Sequence, residues 1–523
     1  MSGQWYLAEI MGAGVALLDF DNDGDLDVYA VQGGPLVRGQ RPAAGATAGD
    51  RLFRNDLPPR ASGADRPRAP TFVDVTAASG LAGAGCGMGV ATGDIDNDGW
   101  TDVLVLRLDG LSVLHNTGRG TFADVTAASG LRAPSWGVSA SFVDYDRDGW
   151  LDVYLANYLA YSVDADTDCF AGSGAPAYCS PRSYRPEPDR LYRNRGNGTF
   201  EDVTAAARVA GDAGPGLGVV ALDANGDDWL DLSVANDGTA NVLWINQKDG
   251  TFVDEGLLSG TALSGAGRPE GSMGVDAGDV DNDGDEDLVM THIAGEGHNV
   301  YRNLGGGAFV DASIEMGLGN PSLPYTGFGG AWVDVDNDGW LDLITVNGAI
   351  QPIETLVRSG DPYPLRQQNQ AFRNEGGMLR DATAQAGDAF RSATVGRGLA
   401  VGDIDNDGDA DLVTSANNGT LRLLLNTVGS GQGWVGVRAV KGMGGRDMLG
   451  AKVVVRTGDG RTLVRRVRTD GSYASARDPR VLFGLGTSTG PVSVQVTWPD
   501  GRTDAARELA TNQWHTLVAG DAK

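Results

Sequence analysis

A nine-residue acidic pattern, D-x-[D/N]-x-D-[G/D]-x-x-D, recurs seven times along the chain, starting at Asp19, Asp94, Asp144, Asp223, Asp279, Asp334 and Asp403. These windows hold 32 of the 69 Asp and Glu residues, so the net charge of -28 is gathered in place rather than scattered for solubility. Internal repetition of one motif, here at intervals of 50 to 79 residues, is the signature of a repeat architecture. The spacing within each window suits calcium. Carboxylates at positions 1, 3, 5 and 9, with the carbonyl of position 7, can supply the six to eight oxygens that a hard cation takes at about 2.3–2.6 Å. Gly at position 6 permits the sharp turn inside such a ring of ligands. The expected ligands are Asp19, Asp21, Asp23 and Asp27; Asp94, Asp96, Asp98 and Asp102; Asp144, Asp146, Asp148 and Asp152; Asp223, Asn225, Asp227 and Asp231; Asp279, Asp281, Asp283 and Asp287; Asp334, Asp336, Asp338 and Asp342; and Asp403, Asp405, Asp407 and Asp411. Up to seven Ca²⁺ ions are expected, one per repeat. The fourth copy departs, with Asn225 at position 3 and Asp228 where the others have Gly, and weaker or different binding is expected there. An EF-hand loop would need Glu at position 12 and flanking helices. Position 12 here is Ala30, Val105, Leu155, Val234, Met290, Thr345 and Thr414, and the flanks read as strands.

Two further elements follow each loop. One ends at Asn55, Asn116, Asn194, Asn246, Asn303, Asn374 and Asn426, where an Asx-type turn is expected. The other reads TFVDVT at Thr71, TFADVT at Thr121, TFEDVT at Thr199, TFVDEG at Thr251 and AFVDAS at Ala308, with MLRDAT at Met378 in the sixth repeat. These alternating strings are strand-like. Each unit is therefore strand, acidic loop, strand, strand, turn, strand. Seven such units predict an all-β fold: a closed seven-bladed propeller with calcium loops over residues 1–430, and a small β-rich domain over 431–523. An open solenoid is the alternative. The seventh unit lacks a clear fourth strand, for which residues 5–10, residues 433–437 and a segment upstream are the candidates.

The repeats resemble the FG-GAP/VCBS family of calcium-loop propellers. The tail resembles an ASPIC/UnbV domain in GRDMLGAKVVVRTGDGRTLVRRVRTDGSYASARDPRVLFGLG from Gly445 and VQVTWPDGRTD from Val494. The combination is similar to the cartilage acidic protein family and its bacterial relatives, some of which sit in enediyne biosynthetic clusters. The resemblance implies the propeller, calcium, export and a further FxDVT-like strand ahead of the first repeat. It implies little about biochemical role. In the tail, Arg461, Arg465, Arg466 and Arg468 cluster; a solvated strand face is the favoured reading over an anion or acidic-partner site.

If the acidic loops lie on one face of the disc, the long insertions at 33–50, 158–189 and 348–370 lie on the other, and loops gathered on a rigid scaffold are where binding resides. The residue five places past each loop's last Asp is Gln32, Arg107, Asn157, Asn236, His292, Asn347 or, in the seventh repeat, Ala416 with Asn417 beside it. These are expected to ring the mouth of the central channel as ligand contacts, or else to cap strand ends. Arg107 and His292 are weak catalytic candidates, and His292 with His298 a weak metal pair. Cys169 and Cys179 lie ten apart in the second insertion, where a disulfide is expected, which implies an oxidising compartment; Cys86 is then a buried or free thiol. No run of 18 apolar residues crosses a membrane. No basic stripe meets nucleic acid. No G-x-S-x-G or GKS motif appears. No secretory signal heads the chain, and a trimmed leader is expected. The expected function is that of an exported calcium-dependent protein- or glycan-binding or adhesion module with structural Ca²⁺. The alternative is an enzyme, a lyase, isomerase or natural-product tailoring enzyme, with its pocket at the channel mouth.

Overall fold

Each acidic loop joins two antiparallel strands, and the pairing repeats down the chain. The computed structural model describes residues 4–520 except 35, 40–48, 59–68, 82–84, 134–135, 171–173, 175, 212–213 and 443–444, so part of the 33–50 insertion lies outside the described residues. The first sheet is Val15–Leu18, Asp27–Ala30, Arg51–Asn55 and Phe72–Asp74 in that order. The second is Gly87–Gly93, Asp102–Arg107, Gly110–Asn116 and Phe122–Asp124. The third is Gly137–Val143, Asp152–Asn157, Arg190–Asn194 and Phe200–Asp202. The fourth is Gly216–Leu222, Asp231–Asn236, Val242–Asn246 and Phe252–Asp254. The fifth is Ser272–Gly278, Asp287–His292, Asn299–Asn303 and Phe309–Asp311. The sixth is Gly327–Val333, Asp342–Asn347, Gln370–Asn374 and Leu379–Asp381. Among the described residues the seventh has three strands, Gly396–Gly402, Asp411–Ala416 and Arg422–Leu424.

The inner strands are buried on both faces, and their period-2 geometry explains how. In the fourth sheet, Val219 and Ala221 pack against Val143 and Tyr145 of the third. Their neighbours Val220 and Leu222 turn the other way, against Val275 and Ala277 of the fifth. In the first sheet, Ala16 and Leu18 meet Val90 and Val103 of the second, and Val15 and Leu17 meet Ala400 and Val413 of the seventh. The sheets thus stack side by side, and the last returns to the first.

Neither of the chain's own candidates completes the seventh sheet. Leu7–Ile10 is a 3-10 turn. Gly433–Val440 pairs instead with Val481–Gly486 and, in parallel, with Trp514–Val518. A second C-terminal sheet holds Thr462–Arg466, Lys452–Arg456, Val492–Thr497 and Thr503–Leu509 in that order. Val435, Val453, Phe483, Val494 and Trp498 share one core with Phe142 and Leu151 of the third sheet, so the C-terminal sheets sit on the acidic-loop side of the ring.

The segment between Arg466 and Val481 leaves those sheets and threads the middle of the ring. Ser472 O accepts from Val275 N (3.1 Å), Ala474 O from Val90 N (3.0 Å) and Ala476 O from Leu17 N (3.0 Å). The inner strands make room with glycine: a Cβ on Gly14 would lie 1.8 Å from the Ala474 carbonyl oxygen. Tyr473 is the tip. Its ring meets Phe328 edge-on at 4.9 Å, and its hydroxyl donates to Met11 O at 2.6 Å.

Candidate metal centres and the two faces of the ring

Every acidic loop is held in one conformation by its own carboxylates. In six loops the first Asp accepts from the backbone N–H groups of positions 5 and 6, as Asp19 does from Asp23 (3.1 Å) and Gly24 (3.1 Å) and Asp334 from Asp338 (3.0 Å) and Gly339 (2.9 Å); in the third, Asp144 accepts from Gly149 N (3.1 Å) and Asp146 takes the Asp148 N–H (3.3 Å). The last Asp lies under the loop. Asp27 accepts from Phe20 N (3.1 Å) and Asn55 N (2.8 Å), and the same pair of bonds recurs at Asp231 with Ala224 and Asn246. Position 4 takes left-handed φ, which Asn tolerates: Asn22 has φ 55° and Asn337 φ 54°. The fourth copy keeps this conformation. Gly226 takes φ 75°, Asp228 φ 65°, and Asp227 N and Asp228 N each reach Asp223 at 2.9 Å.

Within single loops, three carboxylate oxygens lie within 4.8 Å of one another, from Asp19, Asp21 and Asp27; Asp94, Asp96 and Asp98; Asp144, Asp146 and Asp152; and Asp279, Asp281 and Asp287. Asp21, Asp281 and Asp336 each keep one buried carboxylate oxygen with no hydrogen-bond partner. Burial first, and neighbouring carboxylates next, raise the first Asp of three loops: Asp279 to about 7, Asp403 to about 7 and Asp144 to about 6. Burial also lifts Asp27 to about 9 and Asp342 to about 8. Crowded, buried, partnerless oxygens are what an oxygen-seeking cation would satisfy, so the residues present fit Ca²⁺.

The repeated Asn does two things. Its Oδ1 closes the expected turn, as Asn116 does with Gly118 N (3.1 Å). Its Nδ2 reaches across to the acidic loop of the preceding sheet and donates to the carbonyl of position 2. Asn116 bonds Phe20 (2.8 Å), Asn194 bonds Ile95 (2.8 Å), Asn246 bonds Tyr145 (2.8 Å), Asn303 bonds Ala224 (2.9 Å), Asn374 bonds Val280 (2.8 Å) and Asn426 bonds Val335 (2.8 Å).

The arginine cluster of the tail corrects the reading as a solvated face. Arg466 and Arg468 are buried and clasp Glu286 of the fifth loop, with Arg466 Nη2 2.6 Å from its carboxylate. Burial opposes ionisation of Glu286, but the two guanidiniums hold its carboxyl down at about 2. Arg461 donates to Asp338 O at 2.7 Å. Arg480 donates to Asp403 O (2.9 Å) and Asn406 Oδ1 (2.7 Å). Lys452 reaches Asp228 at 2.6 Å, and Trp514 Nε1 reaches Asp403 Oδ2 at 3.0 Å. The acidic partner is the same chain. Sequence reasoning missed this because the contacts join residues 74 to 224 positions apart; the opposite sign of the tail was the available signal.

The opposite face is also closed at its centre, which corrects the open channel mouth. Tyr6, Leu7, Ile10 and Met11 pack with Trp136, Tyr158, Tyr161 and Tyr178 above Tyr473. Arg397 lies 3.8 Å over the Phe328 ring and donates to Ile10 O (2.5 Å) and Gly348 O (2.9 Å). Four of the strand-end residues are spent on loops, Arg107 on the first sheet's insertion and three asparagines on their own loops. Arg107 pairs with Asp50 at 2.8 Å, Asn157 Nδ2 donates to Pro188 O (2.8 Å), Asn236 to Ala240 O (2.8 Å) and Asn347 to Gln368 O (2.9 Å). His292 is buried beside Glu270 (3.7 Å), and its backbone N–H donates to His298 Nδ1 (3.1 Å), so that nitrogen of His298 is not free for a metal. Gln32 and Asn417 instead line a groove of 820 Å³ between the first and seventh sheets, with Glu9 and Cys86; Cys86 is a buried free thiol. Cys169 and Cys179 are disulfide-bonded, with Cα atoms 5.2 Å apart.

A ring of acidic-loop repeats with a basic β domain on its loop face defines the class: an FG-GAP repeat protein with a C-terminal ASPIC/UnbV domain. The chain matches the FG-GAP-like repeat over 94–155, 164–234 and 223–290, the FG-GAP repeat over 395–435, and ASPIC and UnbV over 442–523. It is 28% identical to cartilage acidic protein 1 of Homo sapiens over 346 residues, 64% of this chain and 48% of that protein. The Mus musculus protein is also 28% identical, over 64% of this chain and 49% of its own length. The chain spans about half the length of these curated relatives. Among solved structures, an Agrocybe aegerita lectin that recognises non-reducing terminal N-acetylglucosamine is similar with TM-score 0.39 and 17% identity, covering 80% of this chain and 96% of that one. A Trypanosoma rangeli sialidase gives TM-score 0.35 and 11% identity, covering 69% of this chain and 57% of that one.

Proposed function

We propose that this chain is an exported, calcium-loaded seven-bladed propeller, divided at about residue 430 from its C-terminal domain, that binds a protein or glycan with its insertion face. The observation that carries the calcium is the set of buried, partnerless carboxylate oxygens at Asp21, Asp281 and Asp336, each within a loop of three or more acids. The carboxylates and Asn225 named above would hold one ion per loop. Bound calcium would relieve carboxylate repulsion, so its binding free energy becomes folding free energy. The acidic face is occupied by the C-terminal domain, which leaves the insertion loops as the open binding surface. Phe170 is 66% and Tyr363 38% exposed there, and exposed aromatics on rigidly anchored loops suit recognition. The Cys169–Cys179 bridge supports export. The enzyme reading finds less support, because Arg107 is paired with Asp50 and His292 is fully buried.

Panels of immobilised glycans and of extracellular proteins, probed with the calcium-loaded chain, test the reading. Retention that falls when Phe170 and Tyr363 are changed to Ser supports it. No retention on either panel, or retention indifferent to these changes, overturns it.

A further inference from the structure

The residue just before the repeated Asn stands beside the acidic loop of its own sheet, and in four repeats it is an arginine: Arg54, Arg193, Arg302 and Arg373. Arg193 spans the carboxylates at positions 3 and 5 of its loop, with Asp146 at 2.8 Å and Asp148 at 3.1 Å. Arg373 repeats this on Asp336 (2.7 Å) and Asp338 (3.8 Å). Arg54 and Arg302 turn away to Asp56 (2.6 Å) and Glu315 (3.2 Å). A guanidinium carries donors only and keeps its proton, so each of these is a counter-charge and not a metal ligand.

The second repeat has His115 at this place, near the end of Gly110–Asn116. The imidazole is shorter and sits deeper, 26% exposed against 46% for Arg193 and 50% for Arg373. Its Nδ1 lies 3.1 Å from Oδ1 of Asp102, at position 9, and 3.5 Å from Oδ2 of Asp96, at position 3. Where the arginines span positions 3 and 5, His115 joins position 3 to the buried last Asp. These three donor atoms all lie within 4.8 Å of one another. Two ligands at about 2.0–2.2 Å from one ion stand roughly 3.0–3.5 Å apart, which matches both separations. Ca²⁺ takes oxygen ligands, whereas an imidazole nitrogen among carboxylates suits a first-row transition ion.

We propose that the second acidic loop is a transition-metal site, with Asp96, Asp102 and His115 Nδ1 as ligands to a divalent ion of the Zn²⁺ class in place of Ca²⁺. The inference rests on the reading of the acidic loops as cation sites and changes which ion this one selects. The backbone prepares the donors. Asp102 Oδ1 accepts from Asn116 N (2.7 Å) and Oδ2 from Ile95 N (3.0 Å), which fixes that carboxylate beneath the loop. Asp96 Oδ1 accepts from Asp98 N (3.3 Å), leaving Oδ2 toward His115. His115 itself is held in register by its pairing with Ala123 of the fourth strand.

The test uses the untagged 523-residue chain in saturating calcium, dialysed against rising Zn²⁺. Elemental analysis counts bound zinc and calcium, and zinc X-ray absorption reads the donor atoms. One zinc per chain is expected, with an imidazole among its donors and one calcium fewer. His115→Arg installs the residue of the third and sixth repeats. Losing a ligand costs at least as much as losing an outer partner, so zinc affinity is expected to fall roughly tenfold or more. The calcium is then regained, and the melting midpoint stays within a few degrees. If His115→Arg unfolds the chain, His115→Gln replaces it. Zinc that binds the variant as tightly as the parent overturns the proposal. So does zinc that is lost instead with His515→Asn, in the tail, or an absence of bound zinc in saturating calcium. A chain that takes no calcium, yet loses its one zinc with His115→Arg, keeps this site and sinks the calcium reading of the other loops, so the two failures are distinct.

Discussion

Asn55 donates from Nδ2 to the carbonyl of Ile404 at 3.1 Å, joining residues 349 positions apart. It is the same bond that links every other sheet to its predecessor, here made between the first sheet and the seventh, and so it closes the ring.

Removing that bond is expected to cost more than removing a surface contact. Asn55→Ala strips a donor from a buried carbonyl, a loss of about 1–3 kcal/mol. The other six Asn→Ala changes are expected to cost a similar amount, because each spans one sheet boundary. Chemical denaturation of each variant checks this. A cost near zero at Asn55 alone would mean that the ring is not closed there.

The clasp on Glu286 is expected to hold the C-terminal domain in place. Glu286→Gln leaves the buried Arg466 without its paired carboxylate and Arg468 with only the more distant Asp276 at 3.9 Å, and breaking a buried pair in this way costs about 3–5 kcal/mol. Limited proteolysis is expected to cut first between residues 430 and 445 in this variant. An unchanged melting midpoint and digestion pattern would show that the clasp contributes little.

The acidic loops were legible because all their ligands lie within nine residues, so spacing alone encodes the site. The strand pattern was legible for the same local reason. The plug was not. Tyr473 finds Met11 and Phe328 only after the ring has formed, and no periodicity in residues 467–480 announces that they will run between glycines. Residues 5–10 were one candidate for the closing strand, but Leu7–Ile10 forms a 3-10 turn that buries Leu7, Ala8 and Ile10 against the plugged channel. The polar strand ends pointed to a ligand ring because the sequence does not reveal that Asp50, Pro188 and Gln368 fold back to meet them.

Burial and the neighbouring His292 push the His298 imidazole down to about 3. A histidine lowered in the folded state takes up its proton first in the unfolded chain, near pH 6.5, so its contribution is full above that pH and is lost as pH falls toward 3. The slope is about 1.4 kcal/mol per pH unit for one such group. His298→Gln is expected to flatten the stability profile between pH 6 and 4 by that amount relative to the parent chain. Urea titrations across this range in constant calcium measure it, and parallel profiles would contradict it.

Reduction of the Cys169–Cys179 bridge is expected to loosen the second insertion. Closing a loop of about ten residues contributes about 2–3 kcal/mol in the chain-entropy description. The Cys169→Ser, Cys179→Ser variant should become sensitive to protease between residues 158 and 189 while the ring stays folded. Protection equal to that of the parent chain would mean that Trp136, Tyr158 and Tyr161 alone order the loop.

The most direct test of the account is thermal melting of one preparation before metal removal, after it, and after calcium is restored. A ligand held at about a hundred times its dissociation constant stabilises the folded state by about 2.7 kcal/mol per site, and several loops act together. The midpoint is therefore expected to fall by more than ten degrees when elemental analysis shows the calcium gone, and to return when it is added back. A midpoint that does not move after verified removal would contradict the claim that these aspartates are gathered to hold the ion.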